Sequence, residues 1–122
     1  MAVVGVGVDV VDVTRLTRVL TRTPRLRGRV FAADELAYAG AGEVALRRLA
    51  ARFAAKEAVS KALGARGVRW RDIEVVAVAG ERPVVKVSGH TADLAAQAGV
   101  VHWHLSLSHD GAIATAVVIA ES

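Results

Sequence analysis

The sequence predicts an α+β domain in which a largely antiparallel sheet packs with one long helix and several shorter ones. Three observations carry that prediction. An apolar, β-branched run over residues 2–10 reads as a buried strand. An alanine-dense stretch over residues 51–64, free of proline and of internal glycine, reads as a helix closed by Gly64. Residues 101–109 alternate strictly, with Val101, Trp103, Leu105 and Leu107 on one face and His102, His104, Ser106 and Ser108 on the other. The resulting order, β-α-α-β-β-α-β-β, does not alternate as a parallel sheet requires.

The first strand contains Gly5 and Gly7, and glycine inside a strand marks a bulge or the close approach of another backbone. Gly5-Val6-Gly7-Val8-Asp9 lacks the third glycine of a dinucleotide-binding loop, which argues against a Rossmann domain. Asp12 caps a helix over residues 13–21 with Leu16, Val19 and Leu20 as its apolar stripe, and Pro24 ends it. Residues 25–42 are less regular, with a short helix at 33–36 stopped by Gly40 and Gly42. The long helix begins near Glu43 and carries Leu46 and Leu49 into the alanine-rich stretch. Strands at 72–79 and 84–88 flank the turn Gly80-Glu81-Arg82-Pro83 as a hairpin. A helix at 90–97 stops at Gly99. Asp110-Gly111 is a two-residue hairpin signal leading into a last strand at 112–120.

Composition narrows the function. The chain of 122 residues is long enough for one domain, residues 1–122, and 53% apolar content excludes disorder. No apolar run is long enough to span a membrane, and no secretory signal opens the chain. The absence of cysteine removes disulfide and thiolate chemistry and agrees with a cytoplasmic protein. The net charge of +4 is concentrated: Arg15, Arg18, Arg22, Arg25, Arg27 and Arg29 fall in a stretch without an acidic residue. Such a run suits a polyanion, either nucleic acid or an acidic protein, or is simply a solvated surface. Arg15, Arg18 and Arg22 share one helical face.

Around the helix at 51–64, Ala51, Ala54, Ala55, Ala58 and Ala62 gather on one side, while Arg52, Phe53, Lys56, Glu57, Ser60 and Lys61 fan across the other. Methyl groups permit close packing, and the charged side suits an anion with a metal. Asp9 and Glu57, each isolated among apolar residues, are the donors a hard cation such as Mg²⁺ takes. Alternatively Asp9 opens a turn and Glu57 pairs with Lys61 at i+4. Arg52, Lys56 and Lys61 hold phosphates or are plain surface charge. In Ser106-Leu107-Ser108-His109-Asp110, His109 donates to a phosphate or handles a proton, and Asp110 orients it, acts as a base, or only forms the turn. His102 and His104 lack a third zinc ligand with metal spacing. Ser108, His109 and Asp110 are consecutive, so they cannot converge as a hydrolase triad.

Three motifs in order give the chain a family resemblance. They are Gly5-Val6-Gly7-Val8-Asp9 followed by Arg15; Arg52-Phe53-Ala54-Ala55-Lys56-Glu57-Ala58 with Lys61-Ala62-Leu63-Gly64; and Leu105-Ser106-Leu107-Ser108-His109. Arg29-Val30-Phe31 with Glu35 and the strand at Asp72-Ile73-Glu74-Val75 also match. Over nearly its whole length the chain resembles the holo-[acyl-carrier-protein] synthases, the small stand-alone 4'-phosphopantetheinyl transferases.

The resemblance implies Mg²⁺-dependent transfer of phosphopantetheine from coenzyme A to a serine of apo-acyl carrier protein, releasing adenosine 3',5'-bisphosphate. By that resemblance Asp9 and Glu57 are metal ligands, and Lys61 and His109 contact coenzyme A phosphates. Arg52, Lys56, Gly64, Pro83 and Ser108 join the coenzyme A site. The catalytic group is Glu57, Lys61, His109 and Asp110, with the general base either a water held by Glu57 or Asp110. The acidic carrier docks on Arg15, Arg18 and Arg22, and the subunits form a homotrimer with active sites between them. One departure is visible: only Ala65-Arg66-Gly67 stands before Val68, where the family has a longer glycine-rich loop, which bears on contacts to the nucleotide end. The rival class is a small basic nucleic-acid-binding module, for which the chain has no reading motif and few aromatics for stacking.

Overall fold

The computed structural model describes residues 1–77 and 79–122. Its elements are β1 (Val3–Asp12), α1 (Val13–Arg22), α2 (Leu26–Val30), α3 (Ala33–Ala39), α4 (Gly42–Leu63), a 3₁₀ turn at Trp70–Asp72, β2 (Ile73–Val76), β3 (Val84–Val87), α5 (Gly89–Gln97), β4 (His102–Asp110) and β5 (Ile113–Glu121). The α+β class is as expected. The strand expected at 72–79 is shorter, and its Val78 lies outside the described residues.

β1, β5 and β4 form a three-stranded antiparallel sheet with β5 at its centre, and β2 pairs with β3 as a separate hairpin. α4 lies across the inner face of the larger sheet. Ala114, Ala116, Val118 and Ala120 of β5 meet Ala54, Ala55, Ala58 and Ala62 of α4 in the main core. The glycines of β1 set how close the two come. A Cβ on Gly5 would stand 1.9 Å from the Ala62 carbonyl oxygen, and one on Gly7 would stand 1.8 Å from that of Ala58. Only hydrogen fits there, so strand and helix backbones touch. A second cluster, Leu20, Val30, Phe31, Ala39, Ala45 and Leu49, packs α1, α2 and α3 against the start of α4.

Local chemistry explains the ends. The Asp12 carboxylate accepts the Arg15 amide at 3.1 Å and caps α1. Gly64 closes α4 at φ +60, a left-handed conformation that suits glycine. The β4–β5 hairpin differs from expectation by one residue. Asp110 still pairs with Ile113, so Gly111 and Ala112 make the turn. Gly111 has φ +55 and no described non-glycine residue has positive φ. A turn with its one positive φ at the first central position puts glycine there, ahead of Ala112. α2 was not expected, because five residues rich in arginine carry no periodicity; Val30, with Leu26 beside it, anchors it to the second core.

Candidate active site

Asp9 follows Gly5 and Gly7 on the inner face of β1, pairing with Ala116 of β5. The close strand–helix contact delivers its carboxylate to the last turns of α4. There Lys61 Nζ donates to Asp9 Oδ1 at 2.9 Å and to the Val8 carbonyl at 3.0 Å. Asp9 is 15% exposed and Lys61 53%, so the pair sits at the rim of the core. Glu57, one turn earlier on α4, accepts the Trp70 indole Nε1–H at 2.6 Å. The alternative pairing of Glu57 with Lys61 is therefore not formed. Asp9 and Glu57 together line a cleft of about 620 Å³, with Asp12, Arg15, Phe53 and Trp70 among its walls.

Two carboxylates in one cleft fit Mg²⁺ by the chemistry of the donor set. Mg²⁺ usually takes one or two carboxylates and completes its octahedron with water and substrate phosphates. Among the described residues no three of His, Cys, Asp and Glu gather as a preformed all-protein cage, as such a site does not require. His102 and His104 lie on the outer sheet face, where His104 Nε2 is 3.3 Å from Glu121 Oε1.

Lys56 corrects the sequence reading. It is fully buried rather than on an open charged face, and its ammonium donates to Glu35 Oε1 at 2.6 Å, to the Trp70 carbonyl at 3.0 Å and to the Ile73 carbonyl. A lysine ammonium has three donors, and all three are used within the protein, leaving none for a phosphate. Burial pushes the Lys56 pKa down from the ordinary lysine range, with Glu35 acting against that shift. Glu35 is held in turn by the amides of Ala32 and Val75. The pair ties α3, α4 and β2 together.

Arg52 is also buried, at 5% exposure, with its guanidinium 4.3 Å from the centroid of the Tyr38 ring. Desolvation lowers its pKa from the ordinary value. Among the described residues its Nε has no hydrogen-bond partner. Arg52 lines a cleft of about 310 Å³ with Tyr38, Arg47, Arg48, Ser108 and His109. A neighbouring cleft of about 410 Å³ shares Tyr38, Arg52 and Leu107 and adds Pro83. Arg52, Pro83, Ser108 and His109 thus come together, in a place suited to anions. These clefts share no lining residue with the carboxylate cleft.

The remaining expected residues are scattered by the fold. His109 pairs with the buried Ala114 and so belongs to the inner face, whereas Asp110 pairs with the exposed Ile113 on the outer face. Asp110 therefore does not orient His109. Gly64 caps α4 just beyond Lys61. Arg15, Arg18 and Arg22 are all exposed on α1, and Arg15 also lines the carboxylate cleft. Sequence reasoning missed Tyr38 and Trp70. Tyr38 carries no signal beyond being the only tyrosine, and Trp70 was visible only as an aromatic in a basic loop after the helix.

Comparison with known proteins follows the same lines. The family model of the 4'-phosphopantetheinyl transferase superfamily matches residues 5–118. A holo-[acyl-carrier-protein] synthase of Streptomyces coelicolor is 53% identical over 122 residues, covering 99% of each chain. The holo-[acyl-carrier-protein] synthase of Neisseria meningitidis has a similar structure, with a TM-score of 0.89 at 30% identity, covering 99% of this chain and 100% of that one. The Helicobacter pylori holo-[acyl-carrier-protein] synthase, solved in complex with coenzyme A, gives a TM-score of 0.82 at 25% identity, covering 95% of this chain and 99% of that one.

Proposed function

Since the chain belongs to the 4'-phosphopantetheinyl transferase superfamily, among its holo-[acyl-carrier-protein] synthases, we propose that it transfers phosphopantetheine from coenzyme A with Mg²⁺ and releases adenosine 3',5'-bisphosphate. The acceptor is a serine of an acidic apo-acyl carrier protein serving fatty acid biosynthesis in the cytoplasm. The catalyst is a homotrimer of one-domain subunits, residues 1–122. The observation that carries this reading is the shared cleft of Asp9 and Glu57, two carboxylates far apart in sequence that the fold brings together.

In this reading Asp9 and Glu57 hold Mg²⁺, which when bound acts as a Lewis acid on the diphosphate of coenzyme A. Lys61, poised on Asp9, contributes a point charge to the same group. Arg52, Ser108, His109 and Pro83 receive the nucleotide end, with Gly64 near the diphosphate. Glu57 is favoured over Asp110 as the group that holds the water taking the serine proton. Glu57 lies in the carboxylate cleft, whereas Asp110 stands on the outer sheet face.

Two observations support a site between subunits. The carboxylate and arginine clefts share no lining residue within one chain, as expected if a complete site draws them from different chains. The outer sheet face also leaves Val6, Val8, Val10, Ile113 and Val117 exposed at 38–60%. Apolar surface removed from water is worth about 25 cal/mol per Å², and a contiguous apolar patch of this kind marks an interface. Arg15, Arg18 and Arg22 offer the carrier a cationic face. No described helix is long and apolar enough to cross a membrane.

The test is to mix the protein with coenzyme A, Mg²⁺ and an apo-carrier, and to weigh the carrier. The expected result is a mass gain of one phosphopantetheine per carrier, with adenosine 3',5'-bisphosphate released in step. An unchanged carrier mass, with salt-sensitive DNA binding instead, would show a nucleic-acid-binding module and sink the reading.

A further inference from the structure

Trp70 has no part in the reaction as described so far, yet it touches α4 in three ways. Its indole Nε1 donates to Glu57 Oε1 at 2.6 Å. Its backbone carbonyl accepts from Lys56 Nζ at 3.0 Å. Its ring packs against Phe53, with centroids 5.9 Å apart and planes inclined at 56°. Lys56 and Glu57 are consecutive, so the helix that carries the carboxylate also fixes the group that grips it. The Lys56 end of this arrangement is fully buried and paired with Glu35, while Trp70 and Glu57 line the cleft.

We propose that Trp70 is a positioning residue for Glu57, holding one carboxylate oxygen so that the other faces the metal and substrate phosphates. This rests on the reading of Glu57 as a metal ligand. The chemistry suits the task. An indole N–H donates only, so Trp70 cannot compete for the cation or take a proton. Its hydrogen bond to Oε1 leaves Oε2 available and orders a flexible side chain before the ligand arrives. Partners of ligating carboxylates orient them and raise metal affinity in this way. Lys56 then acts at one remove: it holds the turn from which Trp70 reaches Glu57, which accounts for a buried lysine beside the candidate ligand.

The test uses Trp70→Phe, which keeps an aromatic ring against Phe53 and removes the donor. The Mg²⁺ concentration for half-maximal turnover is expected to rise about 10-fold, with the KM for coenzyme A and the melting temperature unchanged. An unchanged Mg²⁺ requirement overturns the proposal. A second measurement needs no change at Trp70. In Trp103→Phe, Trp70 is the sole indole, and Mn²⁺ with coenzyme A should quench its emission; adding Glu57→Gln should abolish that quenching. Unquenched emission at Mn²⁺ concentrations that support turnover also overturns it. Failure of the underlying reading looks different, because Glu57→Gln with Trp70 intact would then keep both its turnover and its Mg²⁺ requirement.

Discussion

Asp9 and Glu57 look into a cleft walled by Val10, Leu16, Val19, Phe53 and Trp70, with Asp12 and Arg15 also lining it, whereas Arg52 and His109 share theirs with Tyr38, Arg47 and Arg48. One cleft offers hard oxygen donors among apolar side chains, which suits a cation. The other concentrates guanidinium groups, which suits an anion. Both draw on α4, yet they share no lining residue. The difference teaches that α4 is not an amphipathic helix with one active face. It is buried on most sides, and each charge along it has its own surroundings: Arg52 under Tyr38, Lys56 on Glu35, Glu57 on Trp70, Lys61 on Asp9.

Lys56 offers the largest effect with which to break this comparison, because it lies between Arg52 and Glu57 and lines neither cleft. Lys56→Met leaves the Glu35 carboxylate buried without its cation, and loss of one partner of such a pair costs about 3–5 kcal/mol. The expected outcome is a marked drop in stability to urea. Adding Glu35→Leu should recover much of it, since both charges are then gone. If Lys56 instead served coenzyme A, the single variant would keep its stability and raise only the KM.

Next comes the pair of clefts itself. Glu57→Gln should cut turnover at least about 100-fold with the fold intact. Arg52→Gln should act on the KM for coenzyme A, by about 10-fold, as expected for losing a charge-assisted contact. If the site lies between subunits, unfolding and reassembling the two impaired variants together restores intact sites, read as turnover at subsaturating coenzyme A. Each such site joins the carboxylates of one chain to the arginine of the other, and random mixing gives about a quarter of the sites. No recovery on mixing would place both clefts' contributions within one subunit.

How far these features were legible depends on whether they are local. The Asp12 cap and the Gly64 stop were readable because each is decided within one helical turn. Gly5 and Gly7 announced a close backbone approach, and the fold supplies the partners, Ala62 and Ala58. Asp9 and Glu57 stood out as isolated carboxylates, but their common cleft depends on that approach and not on any sequence spacing. Lys56 was misplaced because helical periodicity knows two faces, and the hairpin and α3 cover a third. The Trp70–Glu57 bond was illegible because a loop brings them together.

The smallest expected effect concerns α1 and sharpens the comparison at its edge. Arg15 lines the carboxylate cleft, while Arg18 and Arg22 are exposed along the same helix. If the carrier enters from that side, Arg18→Ala with Arg22→Ala should slow transfer several-fold at low salt through the encounter rate, with little change in turnover at saturating carrier. The deficit should fade as ionic strength rises, because exposed charges are screened within about 10 Å at 0.1 M salt. Arg15→Ala should behave differently, keeping a deficit at high salt, since part of its charge acts inside the cleft. Equal salt dependence for all three arginines would mean that Arg15 belongs to the docking face alone.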